Sequence, residues 1–92
     1  MYTADDIILL QTCGACPEQY DAYICTDMNS VVGYLRLRFG HFSVQCPDVG
    51  GEEVYCANPQ GDGIFDYNER DIYLTEAKEA IANWLNRNSR RN

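Results

Sequence analysis

Basic residues are scarce in this chain. Only seven of its 92 residues are Lys or Arg, against fourteen Asp or Glu, and the net charge is −7. Arg87, Arg90 and Arg91 fall among the last six positions, so residues 1–86 hold four basic and all fourteen acidic residues, an excess of ten negative charges. That balance argues against direct nucleic-acid binding, because neutralising phosphates takes a basic patch. It suits a basic protein partner, or a groove that otherwise receives nucleic acid, with simple solubility of a small acidic protein as the plainer alternative. Long apolar runs are missing too. None approaches the ~18 residues of a membrane span, and Ile7–Leu10 is too short for the core of a signal peptide. The expectation is a soluble, cytoplasmic protein. The chain has one His, no Gly-x-Ser-x-Gly elbow, and no Gly-rich phosphate loop opening a helix. Those absences point away from an enzyme.

What is present fits a single domain over residues 1–92, with no repeat, linker or low-complexity tract. An apolar share of 46% excludes a disordered chain. A chain this short buries only about 60–65% of its unfolded surface, so a staple would help it. Five cysteines are many for this length, and an odd number cannot close a disulfide framework. In a reducing cytosol they read as metal ligands or as small buried hydrophobes.

The strand signals are short and evenly spaced. Thr3 and Asp6 could cap a short helix, while Ile7–Thr12 could equally be a strand. Strands are expected over 18–25, 31–38, 41–46 and 53–57, separated by polar or Gly-containing turns. In VVGYLRLRF the alternation sets Leu35, Leu37 and Phe39 on one face and Tyr34, Arg36 and Arg38 on the other. Gly40 and His41 are expected to turn the chain into a strand whose Phe42, Val44 and Cys46 share a face. The period then changes. Leu74, Ala77, Ile81, Trp84, Leu85 and Asn88 follow helical spacing, with Glu76, Glu79 and Asn83 facing away and Asn68 as N-cap. The predicted fold is α+β, an antiparallel β-meander of about four strands packed against one C-terminal α-helix.

Three constellations could carry function. The first is Cys13-Gly-Ala-Cys16, whose thiolates could share a tetrahedral zinc. In an up-down meander the turn at His41 and the end of the fourth strand return to the same sheet end, which nominates Cys13, Cys16, His41 and Cys56 as ligands of a structural zinc. Buried or unremarkable thiols are the plainer alternative. A redox centre fits less well, because Pro17 and a strand, not a helix, follow Cys16. The second is the stretch 58–69. Its Asn58, Gln60, Asp62, Gly63, Asp66 and Glu69 fall at calcium-loop spacing, but Asn and Gln stand at the first two ligand positions. A Gly-rich acidic turn feeding the helix explains the same residues. The third is a sheet face of Tyr23, Tyr34, Arg36, Arg38 and Tyr55, residue types typical of protein contacts. Ordinary cross-strand pairing of Arg with Asp21 or Glu53 is the alternative.

Taken together, CxxCPEQYDAY, VGYLRLRFGHFSV, GDGIFDYNER and YLTEAKEAI resemble a family of short proteins carried by phages and other mobile elements, over Cys13 to about Ile81. In size, charge and cysteine content the chain is similar to anti-CRISPR inhibitors of type II Cas9, some of which bind metal. The resemblance implies a Cas9-type protein partner met in the cytoplasm of a bacterial host, with an acidic body obstructing a positively charged nucleic-acid channel. A small metal-handling or thiol-redox protein, or a phage accessory protein, is the rival expectation.

Overall fold

In the computed structural model, which describes residues 1–15 and 17–89, five antiparallel strands form one sheet and a single helix covers one side of it. The strands are β1 (Ile7–Gly14), β2 (Glu18–Ile24), β3 (Gly33–Arg38), β4 (His41–Cys46) and β5 (Glu52–Ala57), paired strictly in chain order. The helix α1 spans Arg70–Ser89. The architecture is the expected α+β meander with one strand more than expected. Both alternatives for the first segment are realised in succession. The Asp6 carboxylate accepts the Thr3 backbone N–H at 2.8 Å and closes one 3₁₀ turn, Ala4–Asp6, after which the chain extends into β1.

The core lies between sheet and helix. Alternation turns Tyr20 and Ala22, Leu35 and Leu37, and Phe42, Val44 and Cys46 inward from three adjacent strands, and all are buried. Ala77, Ile81 and Ala82 of α1 close over them, flanked by the partly buried Leu74, Trp84 and Leu85. Each large side chain sequestered here contributes about 1.5–3 kcal/mol. Phe65, from the loop before α1, packs edge-on against Phe42 with ring centroids 4.9 Å apart. The helix can come close because β3 begins with Gly33, where a Cβ would lie 2.9 Å from Ile81 Cδ1.

Two expected details change. Phe39 does not continue the inward series Leu35, Leu37. Phe39 (φ 55°) and Gly40 (φ 71°) are the two turn residues between paired Arg38 and His41, both in the left-handed region that a two-residue hairpin of right-handed twist requires. His41 therefore starts β4 instead of forming the turn. The helix N-terminus is also held differently. The Asp66 carbonyl accepts from Arg70 N–H, and the Glu69 carboxylate reaches back to the Asp66 N–H at 2.9 Å, so the turn into the helix is held at Asp66 by one half of a capping box and not at Asn68.

Candidate interaction face

The helix occupies one side of the sheet, and every second residue of the strands points to the other side. Directly paired residues share a face, so the register sets this outer face out in rows. One row runs Leu10, Asp21, Tyr34, Gln45, Glu53, and the next runs Cys13, Gln19, Arg36, Ser43, Cys56. Arg38 and His41 pair beyond them, next to the hairpin tip. Tyr23, Tyr34, Arg36 and Arg38, four of the five residues expected to form a contact surface, thus lie on one continuous face. Tyr23, Tyr34 and Arg36 are half-buried and Arg38 is exposed. The Gln19 side-chain amide donates to the Tyr34 hydroxyl and fixes that ring. Asp21 sits opposite Tyr34, where partial burial and the nearby Asp48 carboxylate raise its pKa above the ordinary value.

Tyr55 leaves the set. Between Val44 and Gln45 the β4–β5 register slips, so Val44 faces Tyr55 while Gln45 faces Glu53. This bulge adds Val54 to β5 and reverses the parity that even alternation implies. Tyr55 therefore points toward the helix, edge-on to Phe42 at 6.1 Å, and its hydroxyl donates to Glu76. Burial and that carboxylate push the phenol's pKa well up.

Phe39 is the residue that sequence reasoning missed on this side. It is 86% exposed at the hairpin tip, in a backbone conformation rarely adopted by aromatic residues. Gly40 N–H donates to the Asp62 carbonyl at 2.7 Å and ties the tip to the following loop. Arg38, Phe39, Asp62 and Gly63 line a shallow pocket of about 130 Å³. The missed signal is the Phe-Gly dipeptide at the end of an alternating run, where the left-handed turn takes precedence over the pattern.

The expected zinc ligands are not assembled by the described strands. Cys13 and Cys56 share the outer face, but at opposite ends of one five-strand row, about 19 Å apart at the usual strand spacing. His41 is exposed beside Asn58, 3.4 Å from its Oδ1, and Cys16 lies outside the described residues. Among the described residues no three His, Cys, Asp or Glu side chains are grouped to hold a metal. Cys46 is a core residue, and burial pushes its thiol up to about 12. In the 58–69 stretch, Glu69 uses its carboxylate on the backbone N–H groups of Gln60, Gly61 and Asp66. Those hydrogen bonds outweigh the cost of desolvation and hold its pKa below the ordinary value. The residues of the calcium-like spacing thus build the turn that enters the helix.

A polar centre inside the fold was also missed. Glu18 is fully buried and faces the helix side. Its carboxylate accepts Arg70 Nε at 2.9 Å, Arg70 Nη2 at 3.2 Å, Phe65 N–H at 2.9 Å and the Tyr20 hydroxyl. Burial opposes its ionisation, but the Arg70, Tyr20 and Phe65 bonds and the Arg70 charge outweigh burial and lower its pKa. Tyr20 is pushed up to about 12 by burial and by Glu18. The signal was parity: Glu18 is in phase with Tyr20 and Ala22, and a carboxylate at a core position demands a partner.

No helix among the described residues is long and apolar enough to cross a membrane. No protein-family model matches this chain, and neither curated proteins nor solved structures give a match to it.

Proposed function

We propose that this protein is a small acidic binding protein without catalytic activity, whose outer sheet face docks on a protein partner that carries a basic nucleic-acid groove. The observation that carries this reading is the uncovered face itself, where Tyr23, Tyr34, Arg36 and Arg38 lie together with the exposed Phe39 at its end. Aromatic and Arg side chains held by their neighbours are the residues that anchor protein interfaces. The negative field supports a basic partner. Asp5, Asp62, Asp66, Asp71 and Glu79 are all exposed on the loops and helix and would steer encounter with a cationic groove.

The resemblance to phage-borne inhibitors makes a Cas9-type effector the partner to test, with obstruction of target-DNA loading as the mechanism. Purified effector with guide RNA is mixed with excess protein, and target-DNA binding is measured by mobility shift. The expected result is loss of DNA binding, relieved by Tyr34→Ala or Arg36→Ala. Undiminished DNA binding at saturating protein rules out that partner. Equal potency of both variants rules out the face.

A further inference from the structure

Among the described residues no strand pairs with the outer side of β1 at the end of the sheet, and the hydrogen bonds around it fix which of its groups are free. Cys25 N–H donates to the Asp6 carbonyl at 2.8 Å. This bond falls in the same register as the pairs Ile7–Ile24, Ile8–Tyr23 and Leu9–Ala22. In an antiparallel ladder, bonded and non-bonded pairs alternate. Ile8 and Leu10 therefore bond to β2, while Ile7, Leu9 and Gln11 aim their backbone groups away from it. The Ala22 carbonyl agrees with this phase, since it accepts Val32 N–H on its β3 side and not from β1. The Ile7 N–H is used by the Ala4 carbonyl in the 3₁₀ turn. What remains on the open edge is the N–H of Leu9 and Gln11 and the C=O of Ile7, Leu9 and Gln11.

Exposed edges of this kind are normally protected by Lys, Pro, a β-bulge, a short strand or a covering element. Here β1 reads IILLQTCG, eight residues with no charge and no proline, and its one bulge, between Gln11 and Cys13, leaves the regular stretch Ile7–Gln11 unprotected. Ile8 and Leu10 stand 37% and 47% exposed on the outer face beside the edge. The opposite edge strand, β5, begins with Glu52 and Glu53, and Trp84 and Arg87 of the helix reach across to Glu52. The contrast singles out β1.

We infer that β1 pairs antiparallel with β1 of a second copy of this chain, about a twofold axis at Leu9, to make a continuous ten-stranded sheet. The strand is self-complementary in that register. Leu9 meets Leu9 of the other copy, Ile8 meets Leu10, and Ile7 meets Gln11. Because Leu9 is an outward-bonding residue, the axis falls on a bonded pair. Two N–H···O=C bonds form between the Leu9 residues, and two more run from each Gln11 N–H to the other copy's Ile7 carbonyl. The apolar pairs Ile8–Leu10 close over the outer face at the seam. The regular stretch Ile7–Gln11 carries no charge, so no carboxylate of one strand faces a carboxylate of the other despite two net charges of −7. This self-complementarity selects a second copy over an unrelated strand. The inference is independent of the partner proposed above.

The seam is small, so the association is expected in the range of about 10 µM to 1 mM. Sedimentation velocity across that range, with reductant present, is expected to show a monomer–dimer equilibrium that tightens with added salt as the like net charges are screened. Amide exchange of the unaltered chain, read by NMR, is expected to slow at Leu9 and Gln11 as concentration rises while Ile8 and Leu10, already bonded to β2, change little. Ile8→Lys with Leu10→Lys sets lysine opposite lysine across the seam and is expected to weaken the dimer at least ~10-fold with the circular dichroism spectrum retained. A chain monomeric up to 1 mM overturns the inference. So does a dimer in which Leu9 and Gln11 exchange as fast as in dilute solution.

Discussion

Arg70 and Glu18 meet through two hydrogen bonds, Nε to Oε2 at 2.9 Å and Nη2 to Oε1 at 3.2 Å, with the carboxylate fully buried and the guanidinium about one-third exposed. The pair joins the first residue of α1 to the first residue of β2 across the chain. It also positions the approach loop, since Glu18 takes the Phe65 N–H and Arg70 donates to the Phe65 carbonyl. Removing the cation leaves a buried carboxylate without its counter-charge. Arg70→Met is therefore expected to lower unfolding free energy by about 3–5 kcal/mol in urea titration. Replacing both residues by apolar ones is expected to recover only part of this, because the Phe65 N–H then lacks an acceptor.

The same carboxylate makes stability depend on acid. Glu18 and Glu69 both ionise more readily in the folded than in the unfolded chain. A depressed carboxylate pKa contributes stability that is complete above the unfolded value, near 4.3, and is lost as pH falls through the folded value. Thermal melting is expected to be flat from neutrality to about pH 5 and to fall below pH 4. Glu18→Gln is expected to melt lower at pH 7 with a shallower acid slope, which a pH series of melting curves measures.

Asp21 has the opposite sign. Its pKa is raised by partial burial and by Asp48, so the ionised form costs stability at neutral pH. Asp21→Asn is expected to stabilise the protein by up to about 0.5 kcal/mol at pH 7. The gain is expected to vanish below the ordinary carboxylate range, where both states of the chain are protonated. The difference in urea midpoint between the two proteins at pH 7 and pH 3 is the check.

The seating of the helix on Gly33 is tested by size. A Cβ there meets Ile81 Cδ1 at 2.9 Å and the Ala22 Cβ at 3.3 Å. Gly33→Ala is expected to cost about 1–2 kcal/mol by overpacking. Ile81→Val removes the blocking methyl and alone is expected to cost about 0.5–1.5 kcal/mol. If the crowding is as described, the double variant is expected to lose less than the sum, and a double-mutant cycle of unfolding free energies reads the coupling.

Phe39 separates stability from recognition. Phe39→Asn creates with Gly40 the Asn-Gly dipeptide that left-handed two-residue turns favour, and relief of the backbone cost is expected to raise stability by about 0.5–1 kcal/mol. The exposed ring contributes nothing to the core. On the proposed function, the same variant is expected to bind the partner at least ~10-fold more weakly, which titration calorimetry measures.

Much of the fold was legible because the meander is local. Strands 2 to 5 begin and end within a few residues of their expected limits, since each turn carries its own Gly, Pro or polar signal and each pairing joins neighbours in the chain. The inward series of β4 and the stripe of α1 follow from period alone. What period could not carry were the departures from it. Phe39 fits the alternation but lies in a turn that overrides it, and the extra residue at Val54 sends Tyr55 inward and Cys56 outward. Topology was legible in part: the same sheet end was foreseen for Cys13 and Cys56, but a fifth strand at the far edge set the whole width of the sheet between them. Glu18 and Arg70, 52 positions apart, were visible singly and not as a pair. Arg90 and Arg91, counted above among the last six positions, lie outside the described residues.

The alternation of β3 has a consequence for how such a protein can diverge. Its even positions, Tyr34, Arg36 and Arg38, face outward, while Leu35 and Leu37 hold the core. Two messages are interleaved letter by letter in one strand, and substitutions in one leave the other legible. A lineage can rewrite what the sheet recognises without rewriting what keeps it folded. The bulge in β5 is where the two messages exchange letters, so a one-residue insertion or deletion there would rewrite both at once.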